Sequence, residues 1–124
     1  MSAAILVVDD NPASLKLVRL LLAGEGYEVH TASDGEAALA VLRDVRPRLV
    51  MLDIQLPRLD GLEVARRVKA DPATRDTVVI AMTAYAGEAD ERRARAAGCD
   101  EFLTKPIDTR AVPLLVSRRL TEGA

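Results

Sequence analysis

The sequence predicts an α/β protein in which five parallel strands form a sheet with helices on both faces. Four short, mainly apolar runs, at residues 5–8, 49–52, 78–82 and 101–104, are separated by segments of helix length. Runs of this kind are typical of buried parallel strands. A polar residue follows each run, in the order Asp9-Asp10, Asp53, Thr83 and Lys105. Alternating β/α units with right-handed connections then predict a three-layer sandwich.

The first unit is a strand at about residues 4–8 and a helix that begins near Pro12. Asn11 is a suitable N-cap, and proline is favoured at the first helical position. Gly24 and Gly26 are expected to end this helix. Its predicted buried stripe consists of Leu15, Val18 and Leu22, reinforced by Leu17 and Leu21.

The later units repeat this alternation. Strands are predicted at about 28–32, 49–52, 78–82 and 101–103, with helices after residue 35, at 62–69, at 88–97 and after residue 108. The helix at 88–97 contains no Leu, Ile, Val or Phe, so it is expected to pack loosely, because packing supplies most helix stability. If Asp108 is the N-cap of the last helix, Pro113 lies just past the first turn and predicts a bent or late-starting helix.

Composition narrows the class of protein. With 124 residues, of which 49% are hydrophobic, the chain is expected to be one folded domain, residues 1–124, with no effector domain. The net charge of −2 and the 2% aromatic content argue against direct binding of nucleic acid. No apolar stretch is long enough to cross a membrane. The single cysteine, Cys99, fits a reducing compartment, so a cytoplasmic location is expected.

The polar residues that follow the strands are expected to meet at one edge of the sheet, because sites in parallel α/β sheets form beyond the carboxyl ends of the strands. The group would contain three carboxylates, a hydroxyl and an ammonium. Carboxylate oxygens are ligands that Mg²⁺ prefers, often together with a phosphate. A carboxylate can act as a nucleophile and form an aspartyl phosphate. The sequence therefore predicts a site for Mg²⁺ and phosphoryl chemistry. Since clustered carboxylates repel one another, at least one should have a raised pKa without metal.

This set of residues resembles the receiver domain of two-component response regulators, of the single-domain, chemotaxis-regulator-like type. The segment from Asp53 to Gly61 resembles the phosphorylation loop of that family, and the similarity extends over the whole chain. The resemblance implies a doubly wound, flavodoxin-like (βα)5 fold. It also implies that Asp53 accepts a phosphoryl group from a histidine kinase or a histidine phosphotransfer protein. The metal, Mg²⁺ or in its place Mn²⁺, would be held by Asp9, Asp10, Asp53 and the backbone carbonyl of Gln55.

The resemblance also assigns roles to the ends of the last two strands. Lys105 would bind the phosphoryl group, with a cis peptide bond to Pro106. Thr83 and Phe102 would form a switch pair that couples phosphorylation to docking of a downstream protein on the face of the fourth helix, fifth strand and fifth helix. The protein would be a phosphoacceptor with self-catalysed phosphoryl transfer and dephosphorylation, and otherwise not an enzyme.

Three alternatives stay open at this point. The chain could be the receiver module of a hybrid kinase or of a larger regulator. A haloacid-dehalogenase-like phosphohydrolase also uses Asp, Thr, Lys and Mg²⁺, but it places two aspartates two residues apart after the first strand, whereas Asp9 and Asp10 are adjacent. A flavodoxin-like FMN carrier would need a Ser, Thr and Gly-rich loop where this chain has acidic residues.

Overall fold

Strands and helices alternate along the whole chain in the computed structural model, which describes residues 3–57, 59–84 and 87–122. The strands are β1 (Ala4–Val8), β2 (Glu28–Ala32), β3 (Leu49–Asp53), β4 (Val78–Thr83) and β5 (Glu101–Thr104). The helices are α1 (Pro12–Gly24), α2 (Gly35–Val45), α3 (Gly61–Ala70), α4 (Glu88–Ala96) and α5 (Ala111–Glu122). All strands pair in parallel, in the order β2-β1-β3-β4-β5. The predicted fold class is confirmed.

The two faces of the sheet carry separate apolar cores, because successive side chains of a strand point to opposite sides. In β1, Leu6 and Val8 pack with residues of α2, α3 and α4, whereas Ile5 and Val7 pack with residues of α1 and α5. The central strand β3 is buried along its whole length. Such continuous burial is what a parallel strand with helices on both sides requires.

Helix α1 begins where the sequence indicates, since the Asn11 side chain accepts hydrogen bonds from the backbone N–H groups of Ala13 and Ser14. One detail of its predicted stripe is wrong. Val18 and Leu22 are buried, but Leu17 is 43% exposed and lies on the solvent side. Its position one residue before Val18 places it about 100° around the helix, away from the sheet. The stripe is therefore narrower than the run of leucines suggests.

The last two helices have the features expected of them. Ala94 is the buried residue of α4, and among the described residues no side chain caps the N-terminus of this helix at Gly87. Helix α5 begins late, at Ala111, after the Asp108 side chain accepts hydrogen bonds from Arg110 and Ala111. Pro113 is then in the first turn, where a backbone N–H has no intrahelical acceptor, so the proline is tolerated there. Within the described residues, no helix is both long and apolar enough to cross a bilayer.

Candidate functional site

The site lies at the carboxyl edge of the sheet, beside the point where the strand order reverses. The chain runs from β1 outward to β2 and then returns to β3 on the other side of β1. Connecting helices leave in opposite directions at such a point, so a crevice opens between the two strand ends. Asp9 follows β1 and Asp53 is the last residue of β3. The topology therefore places these two carboxylates on either side of the crevice.

Lys105 bridges the two carboxylates. Its Nζ atom donates hydrogen bonds to Oδ2 of Asp9 at 2.8 Å and to Oδ2 of Asp53 at 3.0 Å. Asp9 is 1% exposed and Asp53 is 4% exposed. Buried charges need a partner of opposite sign, and here one ammonium serves two carboxylates. Lys105, which is expected to bind a phosphoryl group, thus contacts Asp9 as well as Asp53.

Backbone N–H groups hold the other oxygen of each carboxylate. The Asn11 N–H donates to Oδ1 of Asp9, and the Gln55 N–H donates to Oδ1 of Asp53. In both cases the donor is two residues after the acceptor, which is the geometry of an Asx turn. Hydrogen bonds from the local backbone therefore orient each carboxylate. Gln55 is adjacent to the site in sequence and in space.

Gly61 permits the loop after Asp53 to close under the site. A Cβ atom at this position would lie 2.4 Å from the backbone oxygen of Asp53 and 2.6 Å from Cα of Ile54. The Gly61 N–H also donates to the carbonyl of Ile54 at 3.3 Å. Any side chain at this position would push α3 away from the end of β3. Gly61 therefore has a structural role with a specific cause, which is the close approach of its backbone to that of Asp53.

Asp10 completes an acidic cluster. One oxygen from each of Asp9, Asp10 and Asp53 lies within 4.8 Å of the others, and Asp10 is exposed whereas the other two are buried. Three hard oxygen donors at this spacing fit a divalent cation such as Mg²⁺, which keeps several waters and takes few protein ligands. Exposure of Asp10 leaves room for those waters. The donor set therefore fits the metal that the sequence predicts.

The pKa of Asp53 is raised, as predicted for one carboxyl of the cluster, but the main cause differs from the predicted one. Burial raises the pKa of Asp53, and the Gln55 N–H and Lys105 offset only part of that effect. The charge of Asp9 raises this pKa as well, but it is the smallest of the causes. For Lys105, burial opposes protonation, but hydrogen bonds to Asp9 and Asp53 outweigh it and raise the pKa. Desolvation, rather than mutual repulsion, is thus the main cause of the raised carboxylate pKa.

Thr83 and Phe102 share one face of the sheet. Ala81 is paired with Phe102 and Thr83 with Thr104 in the register of β4 and β5. Because side chains alternate, Thr83 and Phe102 point to the same side, as diagonal neighbours. Thr83 is 1% exposed, and the half-buried Phe102 ring packs against the core of α2, α3 and α4. The Lys105 N–H donates to the Thr83 carbonyl at 2.7 Å, and the Lys105–Pro106 bond is cis, as expected.

The structure thus brings together Asp9, Asp10, Asp53 and Lys105, with Gln55 and Thr83 at the adjoining chain segments. Two contributors were not anticipated as parts of the site. One is the backbone N–H of Asn11, which was identified only as a helix cap. The other is the contact of Lys105 with Asp9. The Asp-x-Asn spacing at residues 9–11 is a sequence signal for the role of the Asn11 N–H. No local pattern indicates the contact between Lys105 and Asp9. Cys99 takes no part, since it precedes β5 and lies at the opposite edge of the sheet. Burial, followed by the charge of Asp100, raises the pKa of its thiol to about 11.

Comparison with known proteins gives one consistent family. The sequence profile of the response regulator receiver domain family matches residues 5–116. The response regulator PleD of Caulobacter vibrioides is 45% identical over 108 residues, which are 87% of this chain and 24% of PleD. The polar-differentiation response regulator DivK of Brucella anthropi is 42% identical over 107 residues, which are 86% of this chain and 87% of DivK. This chain therefore spans about a quarter of PleD and most of DivK.

Solved structures agree with the sequence relatives. The chemotaxis response regulator CheY4 of Vibrio cholerae superposes with a TM-score of 0.90 at 27% identity, covering 96% of this chain and 99% of that chain. A BeF3-activated DrrB receiver domain superposes with a TM-score of 0.90 at 30% identity, covering 98% of this chain and 99% of that chain. These matches favour a receiver domain over a dehalogenase-like phosphohydrolase or an FMN carrier.

Proposed function

Since the chain belongs to the response regulator receiver domain family of two-component signalling, we propose that Asp53 is its phosphoacceptor. The phosphoryl group would come from a histidine kinase or a histidine phosphotransfer protein. An oxygen of Asp53 attacks phosphorus, an Asp53 O–P bond forms, and the bond from phosphorus to the donor histidine breaks. The observation that carries the proposal is the convergence of Asp9 and Lys105 on Asp53 at the reversal of strand order.

We propose that Lys105 and Thr83 contact the oxygens of the phosphoryl group. The Nζ atom of Lys105 lies 3.0 Å from Asp53, so it is within reach of an oxygen of a phosphoryl group attached there. Fixed positive charge where negative charge develops lowers the barrier to transfer. We assign the Thr83 hydroxyl to a second phosphoryl oxygen, because Thr83 ends the neighbouring strand β4.

We propose Mg²⁺, with Mn²⁺ as a substitute, as the metal of this site. The ligands would be Asp9, Asp10, Asp53 and the backbone carbonyl of Gln55, with Asp10 the principal carboxylate beside Asp53 and Asp9 acting mainly through water. When bound, the metal neutralises the carboxylates and the incoming anionic phosphodonor. The donor set supports this assignment, since three carboxylate oxygens lie within 4.8 Å of one another.

The proposed activity is self-catalysed transfer of the phosphoryl group and autodephosphorylation, with signalling as the output. We propose that residues 1–124 form one receiver domain, and the family profile, which matches residues 5–116, supports this. We also propose a cytoplasmic location, because the phosphorylated histidine of a histidine kinase, the proposed phosphodonor, is in that compartment. The buried thiol of Cys99 is compatible with that location.

Phosphorylation with a small-molecule donor tests the phosphoacceptor. The wild-type chain, incubated with acetyl phosphate and Mg²⁺, should gain the mass of one phosphoryl group, and Asp53→Asn should gain none. Asp60→Asn is the matched control, because Asp60 is an exposed N-cap of α3 and its side chain accepts from Leu62. Asparagine is an equally good N-cap, so this variant should be phosphorylated normally. Normal phosphate uptake by Asp53→Asn would refute the assignment.

We propose the face formed by α4, β5 and α5 as the docking surface for a downstream protein. Helix α4 buries mainly alanine, and its charged residues pair within the helix, as in Arg92–Glu88 and Arg95–Glu91. An element with few buried apolar contacts can move at low cost. Leu114 on α5 is 73% exposed and offers an apolar contact.

Hydrogen exchange tests the position of this surface. Treatment with beryllofluoride and Mg²⁺ should change exchange protection within residues 87–106. Asp53→Asn treated in the same way should show no change. Protection changes confined to α1 and α2 would contradict the proposed surface.

A further inference from the structure

A cavity of about 240 Å³ opens at the edge of the sheet opposite to the candidate site. Its wall includes Arg48, which directly precedes β3, and Thr77, which directly precedes β4. Each residue of a strand advances the chain by about 3.3 Å, so Arg48 and Asp53 lie about 16 Å apart along β3. This cavity is therefore separate from the phosphorylation site.

Three arginines line the cavity, and among the described residues two of them have no acidic partner. Arg119 donates to the Glu101 carboxylate and to the Asp100 carbonyl. Arg48 donates to the carbonyl of Leu120 at 3.0 Å. Among the described residues, no carboxylate lies within ion-pair distance of either Arg46 or Arg48. Asp76 is the one acidic residue in the wall among the described residues.

Hydrogen bonds on two sides anchor the backbone at Pro47 and Arg48. The Arg48 N–H donates to Ala4, the Arg48 carbonyl accepts from Val78, and the buried Pro47 carbonyl accepts from the Thr77 hydroxyl. Both arginines therefore project from a segment that is anchored on two sides. Preorganised groups bind with a smaller entropic cost than mobile ones.

Arg46 has an unusual backbone conformation. It is the C-cap that follows α2, with φ 53 and ψ 62, in the left-handed region. Glycine or asparagine usually occupies this position, because a side chain is crowded there. Such a conformation in a bulky residue is a reason to look for a role of its side chain. In this structure Arg46 is exposed and is one of the residues that line the cavity.

From these observations we propose that the cavity binds a small phosphate-bearing anion through Arg46 and Arg48. The guanidinium group offers planar, paired N–H donors that match the oxygens of a phosphate. Arg48 uses one donor on Leu120 and has others to offer. Pockets for drug-sized ligands are about 300–1,000 Å³, so a cavity of about 240 Å³ suits a smaller anion. The sheet then has a cation site at one edge and an anion site at the other.

Titration of the full chain with inorganic pyrophosphate, followed by amide NMR in metal-free buffer, tests the proposal. Without metal, three carboxylates against one lysine disfavour an anion at the phosphorylation site. Saturable shifts should appear at the amides of residues 46, 48, 77 and 78. Addition of sodium chloride should weaken binding, because salt screens charge attraction. Shifts confined to residues 53 and 105, or no saturable shift, would overturn the proposal.

Three variants sharpen the test. Arg46→Ala should lower pyrophosphate affinity by about tenfold or more, the loss expected for a charge-assisted contact. Asp76→Asn should raise the affinity, because it removes the acidic charge from the wall. Arg43→Ala is the matched control: it removes an exposed arginine from the same helix, but Arg43 does not line this cavity. Equal losses in Arg46→Ala and Arg43→Ala would mean attraction to net charge alone and would overturn the site.

Discussion

Asp9 and Asp53 are held by the same pattern of hydrogen bonds. Each carboxylate uses Oδ1 to accept the backbone N–H two residues further along the chain, and Oδ2 to accept Nζ of Lys105. Asp9 directly follows β1, Asp53 ends the adjacent strand β3, and the two lie on either side of the crevice. One lysine therefore occupies the position between two buried carboxylates. A cation that uses the same carboxylates has to share them with Lys105.

Replacement of Lys105 by methionine should make the metal-free protein less stable and more responsive to Mg²⁺. Removing one partner of a buried ion pair costs about 3 kcal/mol, because the remaining charge is left unpaired. Urea unfolding at neutral pH should show this loss. Added Mg²⁺ should raise the free energy of unfolding of Lys105→Met by more than it raises that of the wild type. Lys69→Met is the control, since Lys69 pairs with Asp100 away from the site. An equal response to Mg²⁺ in Lys105→Met and wild type would contradict this sharing of carboxylates.

Asp10→Ala should separate metal binding from stability. Asp10 is the exposed member of the acidic cluster, so its repulsion with the other two carboxylates is screened by water. We expect the free energy of unfolding without metal to stay within about 0.5 kcal/mol of wild type or to rise slightly. Mg²⁺ affinity and phosphorylation by acetyl phosphate should both fall strongly. Unchanged Mg²⁺ affinity, measured by calorimetry, would show that Asp10 is not a ligand.

The raised pKa of Asp53 predicts a specific dependence of stability on pH. Because this carboxyl holds its proton more tightly in the folded state, ionising it opposes folding. Its contribution to the free energy of unfolding should therefore decrease as pH rises from 3.8 through the raised folded pKa, and stay low above it. Asp53→Asn should lack this decrease. Urea unfolding across this range, without metal, measures the difference between the two proteins. A difference that does not grow with pH would contradict the sign of the shift.

Thr83→Ala should be phosphorylated but should switch poorly. Two hydrogen bonds to a charged phosphoryl group, from Thr83 and Lys105, supply about 3–6 kcal/mol. Inverting a 1:99 equilibrium needs about 5.5 kcal/mol, so loss of one bond should leave the switch incomplete. Beryllofluoride-treated Thr83→Ala should show reduced changes in hydrogen exchange within residues 87–106. Thr83→Ser, which retains the hydroxyl, should behave like wild type. Full exchange changes in Thr83→Ala would rule out the coupling.

Much of the secondary structure could be predicted from local patterns, and the errors were small. Strands β3, β4 and β5 each extend one residue further than predicted, which makes Asp53 and Thr83 the last residues of their strands. The misplaced residue was Leu17, because a run of leucines does not by itself show how wide the buried stripe is. Neighbours on the sheet decide that width. The late start of α5 at Ala111 followed from Pro113, since proline acts locally on the backbone.

The sequence alone determined the alternation of elements and the polar residues at the strand ends, because these depend on periodicity and on chain neighbours. Only the tertiary structure decided that Lys105 lies between Asp9 and Asp53, since these residues are far apart in sequence and meet through the strand order. It also decided that Asp9 is buried and Asp10 exposed. The Asp9 N–H continues the ladder to Ala32, so Asp9 keeps the position of a strand residue, whereas Asp10 has left the sheet. Adjacent identical residues carry no local signal for that difference.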